Sequence, residues 1–161
     1  MGLDSDTLAA ILDAIRSFAA ARLPLERLLE LDARDEFPED DIRAMCSEEL
    51  GIHLLFIPEA YGGMGGDAVD TYRVCEQMGA IDVGVATGVF ATFLGSEPIL
   101  VGGTPDQQKH WLTRIAQEGL LFAYGATEPE AGSDLGALRT RAEPVREDGR
   151  VVAYVLTGKK Q

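Results

Sequence analysis

The hydrophobic pattern changes period once along this chain, at Gly119, and that change limits the possible folds more than any other feature. Before Gly119 apolar residues recur at three- and four-residue intervals. After it they fall in short runs and alternations. A 3.6-residue repeat does not serve as a strand, nor a two-residue repeat as a helix. The pattern predicts a mainly α chain, α+β in total. A bundle of four to six helices, residues 1–119, comes first, and residues 120–161 form the opening strands of an antiparallel β domain.

Within the first part, Leu8, Ile11, Leu12, Ile15, Phe18 and Ala19 form one apolar stripe. Leu23-Pro24 breaks it, because the residue before a proline disfavours the α region, so a kink or restart is expected there. A second helix is expected from Pro38 to Leu50, stopped by Gly51. Residues 52–66 read as a packed connecting loop. Its Gly62-Gly-Met-Gly-Gly66 cluster lacks the strand, the helix and the Lys-Ser/Thr ending of a phosphate loop. Asp67 caps a third helix to about Ile81. Val83–Val101 is apolar enough to be buried nearly all round, yet polar residues interrupt it too often for a membrane span. Thr104-Pro-Asp-Gln107 is a capping box with proline at the first helical position, and it opens a further helix. Three strands follow, Leu121–Ala126, Leu138–Val145 and Val151–Leu156, the last two joined by a turn at Glu147-Asp-Gly149.

The 161 residues carry 27 acidic against 14 basic groups, a formal net charge of −13. A nucleic-acid binder needs a positive footprint, so none is expected here. An anionic ligand would be repelled at long range and held by local amides and a few cations. Cys46 and Cys75 form no CxxC pair and no metal spacing, and read as free thiols inside helices. His53 and His110 are too few for a metal site. The start, Met-Gly-Leu-Asp-Ser-Asp, is acidic where a signal peptide is basic and then apolar, so the cytoplasm is the expected location.

The densest chemistry lies at Tyr124-Gly-Ala-Thr-Glu-Pro-Glu-Ala-Gly-Ser-Asp134. Apolar Leu120–Ala123 lead into it, Thr127 and Ser133 supply hydroxyls, Pro129 stiffens the turn, and Gly132 removes a Cβ where a ligand can approach. Free backbone N–H groups in such a loop suit an anionic or carbonyl-rich ligand. Turn hydrogen bonding alone would also account for Thr127 and Ser133.

Ala126–Asp134, followed by Leu138-Arg-Thr140 and Tyr154-Val-Leu-Thr-Gly-Lys159, resembles the flavin-binding signature of the acyl-CoA dehydrogenases. Upstream, Pro58-Glu-Ala-Tyr-Gly-Gly63 and Gly103-Thr-Pro-Asp-Gln-Gln-Lys109 resemble that family's N-terminal helical domain. The five blocks occur in the family's order, from about Gly51 onward. The resemblance implies a helical domain and the start of a barrel-like middle β domain, with the family's C-terminal helical domain absent. It implies FAD as cofactor, an acyl-CoA substrate oxidised across its α,β bond in fatty-acid metabolism, an electron-transfer flavoprotein as acceptor, and a homo-oligomer. By the same resemblance Tyr124, Ala126 and Thr127 lie against the flavin, and Gly132 and Ser133 serve its pyrophosphate or the nearby pantetheine. Glu128 and Asp134 shape the loop. Thr87, Phe90 and Leu94 line the acyl pocket, although their spacing alone reads as core.

The family's catalytic glutamate lies in its C-terminal domain, and no residue here matches it, so this segment alone is not expected to catalyse the reaction. The other readings are an acyl-CoA oxidase or another flavoenzyme on the same scaffold, and a non-catalytic subunit whose half-site a partner chain completes.

Overall fold

The computed structural model describes residues 2–161. The chain divides into two compact units, one reaching to Ala123 and the other running from Tyr124 to Gln161.

The first unit is helical. Helix α1 (Ser5–Arg22) starts where the Asp4 carboxylate accepts from the amides of Asp6 and Thr7, and Ile15, Phe18 and Ala19 of its stripe are buried. Pro24 ends it, and the chain restarts as α2 (Leu25–Ala33). Helix α3 (Glu39–Met45) is shorter than its pattern predicts. Ser47 explains this: its hydroxyl donates to the Ala44 carbonyl and accepts from the Glu49 amide, giving the backbone a turn in place of another helical bond. Gly51, at φ +69°, still makes the expected stop.

Residues 52–66 form two short 3₁₀ turns with the glycine cluster folded back on them. The amides of Met64, Gly65 and Gly66 donate to the carbonyls of Leu54, Ile57 and Leu55. A Cβ at Gly63 would lie 1.9 Å from the Ile57 carbonyl oxygen, so this glycine serves packing. Asp67 and Asp70 build a reciprocal capping box at the start of α4 (Ala68–Ile81). Helix α5 (Val83–Gly102) follows directly, capped by Asp82, and α6 (Pro105–Glu118) opens with the Thr104–Gln107 capping box read from the sequence.

Helix α5 is not buried all round. Val85, Ala86, Val89, Thr92, Gly95 and Ser96 face the core, while Leu94 is 51% and Val101 80% exposed. The other helices cover one side of it, and its composition is apolar on both. By length and composition it would pass for a membrane span; here its buried side packs with α3, α4 and α6. The main core joins Ile15, Ile42, Met45, Ile52, Leu55, Val74, Met78 and Val89. A second cluster, Ile57, Leu112 and Ile115, sits under α6. His53 is buried among these elements and shares a hydrogen bond with the Ala116 carbonyl across 3.2 Å. Cys46 is buried, which pushes its thiol up to about 11, and Cys75 is half-buried.

The second unit holds an antiparallel hairpin, β1 (Arg141–Glu147) and β2 (Arg150–Thr157). Asp148 and Gly149 both have positive φ, 48° and 78°, the signature of a two-residue type I′ turn. Strand β1 starts three residues later than its pattern suggests, because the amides of Arg139 and Thr140 donate to the Glu128 carboxylate. The strand expected over 121–126 does not form. Neither hairpin strand pairs with it, and its backbone bonds run elsewhere.

Candidate functional site

The approach to the candidate loop is built within the helical unit. The Phe122 amide donates to the buried Thr92 hydroxyl at 3.1 Å. A Cβ at Gly95 would lie 2.9 Å from Phe122 Cβ and 3.1 Å from the Ala123 backbone, so α5 receives this segment only because residue 95 has no side chain. The Phe122 ring meets Trp111 edge-on, 5.8 Å between centroids. Three contacts from two helices thus fix residues 122 and 123.

In the second unit the loop closes on itself. Glu128 and Ala131 exchange amide-to-carbonyl bonds of 2.9 and 3.1 Å. The Glu128 carboxylate is buried and accepts from the Arg139 amide (2.7 Å), the Thr140 amide (3.1 Å) and the Lys160 ammonium (3.0 Å). Lys160 also donates to the Ala126 carbonyl at 2.9 Å, and the Gln161 amide to the Thr127 carbonyl at 2.9 Å. Thr140, the Arg139 N–H and the Lys160 ammonium hold the Glu128 carboxyl down at about 2. The Thr140 hydroxyl closes no hydrogen bond, so it is the Thr140 amide that anchors the carboxylate. A Cβ at Gly158 would fall 2.1 Å from that hydroxyl, which makes glycine necessary where β2 leaves the hairpin.

The Ala126, Thr127 and Glu128 carbonyls are thus taken by internal donors. Among the described residues, no acceptor meets the N–H groups of Tyr124, Gly125, Ala126 or Thr127. Tyr124, Thr127 and Ser133 are exposed, Ala126 is half-buried, and a Cβ at Gly132 would meet no atom within 4 Å. This surface offers donors and no charge, which suits a ligand edge rich in oxygen and nitrogen acceptors. Glu128 is a fully engaged carboxylate. Asp134 closes a local turn through the Gly136 amide at 3.0 Å. Glu128 is therefore not free to act as a base.

Thr87, Phe90 and Leu94 lie along one side of α5, with Thr87 and Leu94 exposed and Phe90 half-buried against the main core. The Thr87 hydroxyl donates to the Val83 carbonyl at 2.7 Å, which leaves the residue's methyl as its outward character. The Phe90 ring packs against Phe56 at 5.4 Å, and Phe56 against Phe93 at 4.9 Å. Along this side Val83, Leu94 and Val101 stand open to solvent. Sequence reasoning missed Lys160, which lies 32 residues from the carboxylate it pairs with.

Residues 5–119 match the family model for the N-terminal domain of acyl-CoA dehydrogenases. Cyclohex-1-ene-1-carbonyl-CoA dehydrogenase of Geobacter metallireducens is 38% identical over 152 residues, 92% of this chain and 37% of that protein. Butyryl-CoA dehydrogenase of Megasphaera elsdenii superposes with a TM-score of 0.82 at 30% identity, over 99% of this chain and 41% of its own. An acyl-CoA dehydrogenase of Bacillus anthracis, solved in complex with FAD, superposes at 0.76 with 30% identity, over 98% and 26%. The chain spans 36–37% of the length of such curated relatives. The helical unit, the loop and the hairpin follow one family's order throughout, and the chain belongs to the acyl-CoA dehydrogenase family.

Proposed function

We propose that this chain supplies the helical domain and the start of the middle β domain of an FAD-dependent acyl-CoA dehydrogenase. The reaction is α,β-dehydrogenation of an acyl-CoA thioester. The observation that carries the reading is the loop at 124–134, where the amides of residues 124–127 are open while the Ala126, Thr127 and Glu128 carbonyls and the buried Glu128 carboxylate are engaged internally. The residues present fit FAD. Tyr124 and Ala126 offer surface for a ring, Thr127 a hydroxyl and an amide for its polar edge, and Gly132 and Ser133 an uncrowded turn for the pyrophosphate or pantetheine. FAD, when bound, supplies the acceptor for the hydride that leaves the β carbon. Thr87, Phe90 and Leu94 offer the acyl chain an apolar wall, with Phe90 braced by Phe56. By family likeness the base that takes the α proton comes from elsewhere in the catalytic assembly, and the engaged Glu128 carboxylate does not supply it. By family likeness the electrons pass to an electron-transfer flavoprotein and the enzyme assembles as a homo-oligomer; the cytoplasm is the proposed location.

The test is product analysis. The complete gene product, incubated with short-, medium- and long-chain acyl-CoA and an artificial electron acceptor, is expected to yield 2-enoyl-CoA from at least one class. Absence of enoyl product from every class, with FAD bound, would exclude the dehydrogenase reading.

A further inference from the structure

We propose that Lys160 and Glu128 are positioning residues that tune a flavin held by the loop, acting through the Ala126–Thr127 peptide. The inference rests on the flavin reading above and adds to it. Its basis is the geometry of one peptide unit. The Lys160 ammonium donates to the Ala126 carbonyl at 2.9 Å, while the N–H of the same peptide, on Thr127, has no acceptor among the described residues. A cation on the carbonyl draws electron density through the amide and makes its N–H a stronger donor. The next carbonyl, Thr127, is occupied by the Gln161 amide, and the next, Glu128, by the Ala131 amide. Three successive carbonyls are therefore turned to internal partners, and the N–H of the 126–127 peptide, like those of Tyr124, Gly125 and Ala126, is left for a ligand.

Glu128 sets how much of the Lys160 charge that peptide feels. Its Oε1 takes a bond from Lys160 at 3.0 Å, so the ammonium is shared between a neutral carbonyl and an anion. The two residues thus push in opposite directions. Lys160 strengthens the Thr127 N–H, and Glu128 restrains that effect. A reduced flavin is more electron-rich than an oxidised one and gains more from a stronger donor. Removing the cation disfavours the reduced form, and removing the anion favours it.

Opposite signs separate this from plain loop stapling, in which losing either partner loosens the loop alike. The experiment measures the flavin midpoint potential and FAD affinity of the complete gene product with Lys160→Met, Glu128→Gln and Lys160→Arg. Lys160→Met is expected to move the oxidised-to-reduced equilibrium about tenfold toward oxidised, or about 30 mV negative for a two-electron couple. Glu128→Gln is expected to shift it positive, and Lys160→Arg, which keeps the charge, to stay within about threefold of the unmodified protein. Should Lys160→Met fail to fold, Lys160→Gln keeps a donor without the charge, and the same negative shift is expected of it. Unmoved potentials, or shifts of the same sign in the two neutralising variants, would overturn the inference while leaving the flavin reading intact. A colourless unmodified protein would remove the flavin reading itself, and this inference with it.

Discussion

Glu128 is the residue on which the loop turns. Its carboxyl is held at about 2, against an ordinary value of 4.5, by Thr140, the Arg139 amide and Lys160. A depressed carboxylate stabilises the fold fully above the unfolded value and ceases to do so as pH falls from about 4.5 toward 2. The Arg139 and Thr140 amide resonances should therefore titrate with a midpoint near 2; a midpoint near 4.5 would mean that the carboxylate is not held as described. Thr127→Ala removes one hydroxyl donor from the polar edge and is expected to weaken FAD binding by roughly tenfold, or about 1.4 kcal/mol, read by flavin fluorescence titration. Unchanged affinity would place Thr127 outside the contact. At this scale the sequence was legible where chemistry is local. Pro129, Gly132 and Ser133 announce a loop by residue type. Lys160 was not legible, because nothing in a pattern links it to a glutamate 32 residues earlier.

Among the elements, α5 and α6 fix the segment at Phe122 and Ala123. Thr92 is buried in α5 and accepts from the Phe122 amide. Thr92→Val keeps the shape and removes the acceptor, leaving a shielded N–H without a partner at a cost of about 1–3 kcal/mol. A thermal melt of the helical unit should show this loss, and an unchanged melting temperature would mean that water reaches the Phe122 amide. Helix starts were legible because caps are short-range: Asp67 and Thr104 each make the bonds their spacing implies. Two boundaries were not. Ser47 ends α3 early through its own side-chain bonds, and the amides of Arg139 and Thr140 leave the ladder for a carboxylate. The apolar run at 121–126 looks like a strand by composition alone, yet strand pairing is decided by a partner, and none pairs with it among the described residues. The same ambiguity hid the open face of α5, whose exposed residues are as apolar as its buried ones.

For the whole molecule, stability is unevenly distributed between the units. The helical unit carries both apolar clusters. The hairpin is exposed along both strands, with Leu156 at 73% and Val152, Tyr154 and Val155 at half or more, and two strands alone are marginal. Hydrogen exchange on the 161-residue chain should show slow amides in α4, α5 and α6 and fast ones throughout β1 and β2. Comparable protection in both units would show that the hairpin is stable by itself. The division into helical and strand parts was legible from the single change of hydrophobic period; the family was legible from motif order, because five short blocks in sequence carry more information than any one loop. The central claim is that this loop helps hold a flavin that oxidises acyl-CoA, and an anaerobic visible titration of the purified gene product tests it most directly. A flavin spectrum bleached by stoichiometric acyl-CoA is the expected result. A colourless protein, or a flavin spectrum that no acyl-CoA changes, would contradict it.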